Sequence, residues 1–331
     1  MSKKILFIGG TGVISSACTQ LCIERGYELH CLNRGRSERS LPPEVVRHTG
    51  DIRDLKSITE LLKGHHFDAI VDWIAYVPEH VQKDIAMFRT MTDQYVFISS
   101  ASAYQTPPRM LPITESTPLF NPFWEYSRNK IACEDLLVSE YRANGFPMTI
   151  VRPSHTYDKT MLPFRGRYTV IDRMLNKKKV IVIGDGTSLW TLTHHVDFAR
   201  GFAGLLGNPK AIGEAFHITS DEILTWNQIF DIVASCAGTI ADKIHLPSEL
   251  IAAYDAEWGA GLLGDKMHSM IFDNTKIKRA VPDFKATIPF ADGVREIINW
   301  YNEDPSRKTI DHEFNVLIDL LVAKYESILP K

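Results

Sequence analysis

Short apolar runs and amphipathic stretches alternate along the first half of the chain. Ile5–Ile8 leads into a helical pattern reaching Arg25; then come Glu28–Leu32, a helix from about Asp54 to Leu62, Ala69–Asp72 and a helix beginning near Pro78. The rhythm continues with Tyr95–Ser99, a helix from about Trp124 to Asn144, and Met148–Val151. Continuous apolar runs of this length fit strands buried on both faces, and the intervening helices supply crossovers between parallel neighbours. The pattern predicts an α/β fold, a doubly wound parallel sheet with right-handed connections.

Beyond Arg152 the alternation loosens into Pro-, Gly- and aromatic-rich stretches around Met161–Tyr168 and Trp258–Gly264. A smaller α+β lobe is placed there, while a helix from about Val196 to Leu206 and a strand over Ala215–Ile218 are expected to return to the sheet. The expected domains are therefore discontinuous: residues 1–165 with about 195–220, against about 166–194 with 221–331. A last amphipathic helix is expected over Ile310 to Leu329, with Phe314, Leu317, Leu320, Leu321, Tyr325 and Ile328 forming a packing face.

With 331 residues, 44% hydrophobic and 23% charged, the chain has the make-up of a globular protein rather than a disordered or fibrous one. A net charge of −3 provides no field to gather nucleic acid or anionic lipid, so neither partner is expected. The basic run Lys177-Lys178-Lys179 reads as a solvated helix end. The 5 cysteines are odd in number and scattered, which points to a reducing, cytoplasmic setting, with Cys18 and Cys22 as small buried residues on one helix face. After Met1-Ser2-Lys3-Lys4 the apolar stretch stops at Gly9-Gly10, which reads as a strand entering a turn and not a secretion signal. No apolar run approaches the length of a membrane span. The adjacent pairs His65-His66 and His194-His195 lack metal-ligand spacing with known partners, and no metal site is expected.

The first chemical signal is Gly9-Gly10-Thr11-Gly12-Val13-Ile14-Ser15, which directly follows the first strand and opens the first helix. Glycine tolerates the tight turn, and its missing side chain lets backbone amides and a positive helix end meet a pyrophosphate. In a strand–turn–helix setting this is the dinucleotide fingerprint of a Rossmann domain, with Ser15 small enough to keep helix and strand close. Asn33 stands 21 residues past Gly12, where an acid would hold the ribose hydroxyls of NAD. An amide does not repel a 2′-phosphate, and Arg34, Arg36 and Arg39 lie beside it, so NADP(H) is expected to be favoured over NAD(H).

The second signal is Tyr126-Ser127-Arg128-Asn129-Lys130, a phenol and an ammonium four residues apart on one helix face. A neighbouring cation favours the phenolate and is expected to bring the tyrosine toward use as an acid/base. Upstream, Ser99-Ser100-Ala101-Ser102-Ala103-Tyr104 puts hydroxyls at the carboxyl edge of the sheet, where ligands of such folds bind.

In this order the motifs resemble the extended short-chain dehydrogenase/reductases, specifically the NAD-dependent epimerase/dehydratase branch and its atypical members near the chloroplast stem-loop RNA-binding proteins. The resemblance covers roughly residues 3 to 302 and includes Gly50-Asp51-Ile52-Arg53, Arg152-Pro153 and Gly184-Asp185-Gly186-Thr187. It implies Tyr126 as the acid/base, Lys130 as the group that holds the nicotinamide ribose and depresses the tyrosine, and Ser100 as the hydroxyl that orients the substrate oxygen. Around an NAD(P) cofactor it implies the loop Gly9 to Ile14, with Asn33 and Arg34 at the ribose, Asp51 and Ile52 at the adenine, Ala75 beside the nicotinamide ribose, and Ser99 and Pro153 at strand ends. It also implies a homodimer through the two helices that follow the third strand and precede the sixth strand region.

Where the family's dehydratases carry an Asp-Glu pair, this chain has Ala101 and Ser102, which disfavours elimination; where many epimerases place a diphosphate-gripping arginine, it has Trp190, Thr191 and Leu192. The usual asparagine after the sixth strand is replaced by Ser154 and His155. A pocket for a carbohydrate-derived small molecule is expected from Tyr76, Ser102, Trp124, His155 and Trp190, with Tyr157, Trp258 and His268 as further candidates. The expected function is an NAD(P)-dependent oxidoreductase or epimerase on a sugar-like or nucleotide-sugar alcohol or ketone; the alternative is a non-catalytic NAD(P)-binding regulatory or RNA-binding module.

Overall fold

The computed structural model describes residues 2–328. Its centre is a sheet of seven strands: β1 (Lys4–Ile8), β2 (Glu28–Asn33), β3 (Val46–Thr49), β4 (Ala69–Asp72), β5 (Tyr95–Ile98), β6 (Met148–Pro153) and, after a long excursion, the returning strand Ala215–Ile218. The order is Ala215–Ile218, β6, β5, β4, β1, β2, β3, and every pairing is parallel. The chain winds one way from β1 to β3 and the other way from β4 outward, which opens a crevice beyond the carboxyl ends of β1 and β4.

Strand geometry sends alternate side chains to opposite faces, so each apolar strand feeds two cores. Ile5 and Phe7 pack with Cys18 and Cys22 of α1 (Val13–Glu24), whereas Leu6 and Ile8 pack with residues of α2 (Leu55–Leu61), α3 (Pro78–Phe88) and α4 (Glu125–Asn144) on the other face. Cys18 and Cys22 are buried, as their spacing predicts. The strand β3 was not expected from the pattern: Val46-Arg47-His48-Thr49 is an edge strand without a fully buried position, so it lacks the apolar run that marks its neighbours.

The second half adds β7 (His155–Tyr157), α5 (Tyr168–Leu175), β8 (Val180–Ile183), β9 (Leu189–Trp190), β10 (Leu192–His194), α6 (His195–Ala203), β11 (Ala215–Ile218), β12 (Leu224–Thr225), α7 (Trp226–Cys236) and β13 (Lys243–Leu246). These are followed by α8 (Ser248–Tyr254), α9 (Ala256–Gly261), a π-helical turn at Leu262–Lys266, α10 (Thr275–Ala280), α11 (Phe290–Glu303) and α12 (His312–Ile328). The expected return of α6 and β11 is found: α6 packs on the α1 face and β11 pairs with β6. A separate core gathers β8, α5, α7, α11 and α12, with Phe314, Ile318 and Leu321 as the buried face of the last helix; its expected end at Leu329 lies outside the described residues. Lys177-Lys178-Lys179 follows the end of α5, with Lys177 and Lys178 exposed. Among the described residues no helix is long and apolar enough to cross a membrane.

Candidate active site

The glycine loop sits where the sheet changes direction. Gly9 has φ +91°, and a side chain there would meet Ile74 Cγ2 at 2.8 Å; one on Gly10 would meet Cys31 Sγ at 2.7 Å. Absence of side chains therefore seats the loop between the ends of β2 and β4. Gly12 caps α1, its N–H donating to Ser15 Oγ at 2.7 Å, and the first turn of α1 holds no acid to neutralise the positive end of the helix.

From this loop a cleft of about 1070 Å³ runs past the ends of β2 and β3 to those of β5 and β6. Gly9, Thr11, Gly12, Val13 and Ile14 line it, as do Asn33, Arg34, Asp51 and Ile52 at one end and Ser99, Tyr126, Lys130 and Pro153 at the other. Gly10 and Ala75 are not on its surface; Gly10 packs beneath the loop, and fully buried Ala75 reaches the site only through its carbonyl. A continuous groove over unshielded backbone amides, with an amide and arginines at its ribose end, fits an adenine dinucleotide. One expectation is corrected. Arg39 does not stand free for a phosphate, because it is tied to Asp158 at 2.7 Å and Thr160 at 2.7 Å and reaches the Gly12 carbonyl at 3.4 Å. Arg34 and Arg36 are exposed along the cleft.

The helix α4 brings Tyr126 and Lys130 to the far end of this cleft. Lys130 is almost wholly buried, and its Nζ donates to the carbonyls of Ala75 at 2.6 Å and Ile98 at 2.7 Å, over the rings of Phe97 and Tyr76 at 4.8 and 4.9 Å. An ammonium has three N–H donors, so one remains for the cleft. Burial pulls this ammonium down to about 8, against Cys133, Asp72 and Glu134, which hold it up. Burial pushes the Tyr126 phenol up to about 12, against the neighbouring Ser100 hydroxyl, which holds it down. The depressed phenol expected from the spacing is thus not found in the cofactor-free protein. Lys130 Nζ lies 5.8 Å from the Tyr126 ring centroid and is engaged with carbonyls, not with the phenol oxygen.

Hydroxyls continue from Ser100, whose Oγ is 2.9 Å from Ser102 Oγ, which in turn accepts from Ser127 Oγ at 2.8 Å. Behind them Glu134, one helical turn past Lys130, accepts from Ser99 Oγ and pairs with Arg152 at 2.6 Å, tying α4 to the ends of β5 and β6. Glu134 was not singled out in the sequence, although its spacing from Lys130 puts it on the same buried face.

On the substrate side the Trp124 ring lies 4.9 Å from that of Tyr126, and Lys266 Nζ lies 5.8 Å from Trp124. The π-helical turn presses Gly264 so close that a Cβ there would meet Trp124 Cβ at 2.8 Å; Asn121 fixes it by donating to the Gly264 carbonyl at 2.6 Å. The turn carries Asp265 and Lys266, paired at 3.3 Å. Burial raises the Asp265 carboxyl, with Lys266 and His268 opposing, and its charge is felt at Tyr126. Sequence reasoning missed both residues; the Gly-rich stretch marked only a break in the strand–helix rhythm, and a π-turn has no pattern of its own. His155 carries a buried Nε2 without a partner, and burial drives its imidazole down to about 3, which keeps it neutral. His268 Nε2 is likewise buried and unpartnered, whereas Trp190, expected in the pocket, packs against Trp226 in the core of the second half. Tyr76 is 47% exposed at the lip of the cleft. Tyr157 and Trp258 are placed elsewhere: Tyr157 packs against Phe290 and Gly293, and Trp258 against Phe314, both in the core of the second half.

Residues 5–219 match the family model described as the NAD dependent epimerase/dehydratase family. The chain belongs to that family. The match spans the glycine loop, the Tyr126–Lys130 helix and the returning strand β11, and it bears out the resemblance to extended short-chain dehydrogenase/reductases. Among curated relatives, the UDP-glucose 4-epimerase of Lactobacillus helveticus is 31% identical over 45% of this chain and 50% of its own length. The chloroplast stem-loop binding protein of 41 kDa b of Arabidopsis thaliana is 25% identical over 71% of this chain and 64% of its own length. The chain thus spans about half of the first of these relatives and less than two thirds of the second. Among solved structures, the dTDP-glucose 4,6-dehydratase of Bacillus anthracis in complex with NAD superposes with a TM-score of 0.74 at 18% identity, covering 92% of this chain and 98% of that one.

Proposed function

We propose that this family member is an NAD(P)-dependent oxidoreductase or epimerase acting on a sugar-like alcohol or ketone. The observation that carries this reading is that Tyr126 and Lys130, with Ser100 beside Tyr126, stand at one end of a cleft that runs over an unshielded glycine loop. A bound nicotinamide dinucleotide would supply or take up the hydride. In the reducing direction a phenol held near 12 is a ready proton donor to a developing alkoxide, and Ser100 orients the same oxygen. In the oxidising direction the Ser100 hydroxyl stabilises the phenolate, and the free Lys130 N–H is left to hold the cofactor. Asp265, Lys266 and the unpartnered imidazole of His155 offer acceptors and donors for a hydroxylated substrate against the Trp124 ring. Ala101 and Ser102 leave no carboxylate at that point to drive an elimination. When sugars, polyols and nucleotide sugars are screened for cofactor oxidation or reduction, Tyr126→Phe should lower the wild-type rate at least about 100-fold with an unchanged cofactor Kd. Equal rates in both proteins would remove Tyr126 from the chemistry.

NADP(H) is the proposed cofactor. Asn33 removes the acid that would repel a 2′-phosphate, and Arg34 and Arg36 remain available at the ribose end now that Arg39 is committed to Asp158. Calorimetric titration should give tighter binding of NADPH than of NADH, and Arg34→Ala with Arg36→Ala should weaken NADPH by about tenfold or more while leaving NADH little changed. Tighter NADH binding contradicts the assignment. The unpaired, largely buried thiols fit a cytoplasmic location, and a pair of copies meeting across α3 and α4 is the assembly the family resemblance supports.

A further inference from the structure

Three imidazoles meet where β2 and β3 run toward the adenine end of the cleft. His30 of β2 and His48 of β3 have stacked rings, 5.1 Å apart and 13° from parallel; His65, after α2, stands 5.4 Å from the first and 5.8 Å from the second. His30 Nδ1 and His48 Nε2 are 2.8 Å apart, His30 Nε2 is 2.9 Å from Glu28 Oε1, and Lys4 Nζ is 3.0 Å from His65 Nδ1. These partners fix where the hydrogens sit. A carboxylate only accepts, so His30 Nε2 donates to Glu28; the neutral ring then offers Nδ1 as an acceptor, and His48 Nε2 donates to it. An ammonium only donates, so His65 Nδ1 accepts from Lys4 and its ring hydrogen lies on Nε2.

This arrangement has little room for added charge. One proton taken up by the His30–His48 pair can sit on either ring, but a second turns their contact into two N–H groups facing each other, and a proton on His65 Nδ1 does the same to its contact with Lys4. The charged and titratable groups facing the rings are Lys4 from β1, Glu28 from β2 and His65 itself; Glu28 already lies 3.5 Å from Lys4, and Asp68, before β4, accepts the Lys4 N–H at 2.6 Å. From α2 come the apolar side chains of Ile58 and Leu61, which a Cβ on Gly50 would meet at 2.6 and 3.7 Å. Burial pulls the imidazoles of His30 and His48 below their ordinary value, with Glu28 opposing at His30. Of the three strands that carry these groups, β1 and β2 are buried almost throughout, whereas β3 has four residues, none fully buried, and is held by its ladder to β2. Repulsion here therefore displaces β3 first. Its continuation, Thr49 to Ile52, is the adenine wall of the cleft, and the Gly50 N–H donates to the Asn33 carbonyl at 3.0 Å.

We propose that His30, His48 and His65 form an acid-sensitive latch: neutral, they hold β3 against β2 and keep the adenine wall in place; protonated, they repel one another and Lys4, β3 loosens, and the cofactor is released. Only the neutral cluster fits the closed wall, so cofactor affinity is full above the midpoint of the cluster and is lost as the pH falls through it. Release of cofactor rests on the adenine assignment made for the function proposed above; the loosening of β3 is measured without cofactor, so either can fail alone.

In full-length protein labelled with ¹⁵N-histidine, with each ring assigned by its loss in His30→Gln, His48→Gln or His65→Asn, long-range ¹H–¹⁵N spectra at about pH 7.5 should show all three rings with hydrogen on Nε2 and a bare Nδ1. Hydrogen on Nδ1 of His30 or His65 overturns the arrangement. Amide exchange, corrected for the intrinsic rate, should then show Gly50 losing about tenfold or more of its protection between about pH 7.5 and 5.5 in the wild type while the β1 amides keep theirs, since each excluded proton costs about tenfold per pH unit below its midpoint. His48→Gln, whose side-chain amide keeps a donor for His30 and takes up no proton, should lose much less at Gly50; His65→Asn, which keeps an acceptor for Lys4, gives the same comparison should the first variant fail to fold. Equal losses at Gly50 in wild type and variant, or a loss shared by β1, overturn the latch. Calorimetric titration with NADPH reads the consequence: Kd should be the same in wild type and variant at about pH 7.5 and about tenfold weaker in the wild type at about pH 5.5. The 2′-phosphate titrates alike in both and cancels. Equal Kd values at the lower pH overturn the release of cofactor.

Discussion

At the residue scale, burial and not pairing sets the charge states around Tyr126. The spacing of Tyr126 and Lys130 was legible because a helix puts the two residues on one face whatever surrounds them. Their electrostatics were not, since the carbonyls that hold Lys130 come from Ala75 and Ile98, residues far from it in the chain. The same balance governs His155. Its folded imidazole titrates at about 3 because burial disfavours the cation, whereas an unfolded one titrates near 6.5. The folded-state value is depressed, so the stability it contributes is present above about pH 6.5 and is lost as the pH falls toward 3. Burial depresses His30, His48, His195 and His217 as well, which adds to the same acid-side loss. Urea unfolding midpoints should therefore drop between pH 6.5 and 4, and His155→Gln should drop less steeply; parallel curves would count against a buried neutral imidazole.

At the element scale, the strands and helices that carry the site follow the apolar pattern closely, because each is buried on a face that the pattern marks. The edge strand β3 escaped notice since half-polar Val46-Arg47-His48-Thr49 gains its order from pairing with β2 and not from its own burial. The π-helical turn at Leu262–Lys266 escaped notice for a different reason: its geometry is imposed by contacts with Asn121 and Trp124 from another part of the chain. Between elements, the Glu134–Arg152 pair is the joint that holds α4 against β6, both side chains being nearly inaccessible. Glu134→Ala would strand a buried guanidinium and should cost about 3–5 kcal/mol in urea unfolding. A loss below about 1 kcal/mol would mean that Arg152 finds another acceptor, for instance at the Glu115 carbonyl it already touches at 3.2 Å.

At the scale of the whole molecule, a seven-stranded sheet with one core on each face carries the cleft, and a third core from the second half brings up the wall that faces Tyr126. We propose that the units divide as the sequence rhythm suggests, residues 1–165 with about 195–220 against the remainder, on the ground that α6 and β11 join the sheet while α5, α7, α11 and α12 share the third core. The fold and the cofactor cleft were readable in advance because they rest on local signals, a periodicity and a glycine loop. The substrate wall was legible only in part: Trp124 and His155 were among its expected residues, whereas Asp265 and Lys266 were not, because the turn that carries them takes its place from contacts with Asn121 and Trp124. The claim on which the rest depends is that hydride moves at the end of the cleft marked by Tyr126. The most direct measurement uses NADPH deuterated at the transferring position of its nicotinamide, mixed with wild-type protein and keto sugars, with the sugar product read by mass spectrometry. Deuterium carried into the sugar by the wild type and not by Tyr126→Phe is the predicted result; a sugar that stays unlabelled despite a saturated cofactor cleft would contradict it.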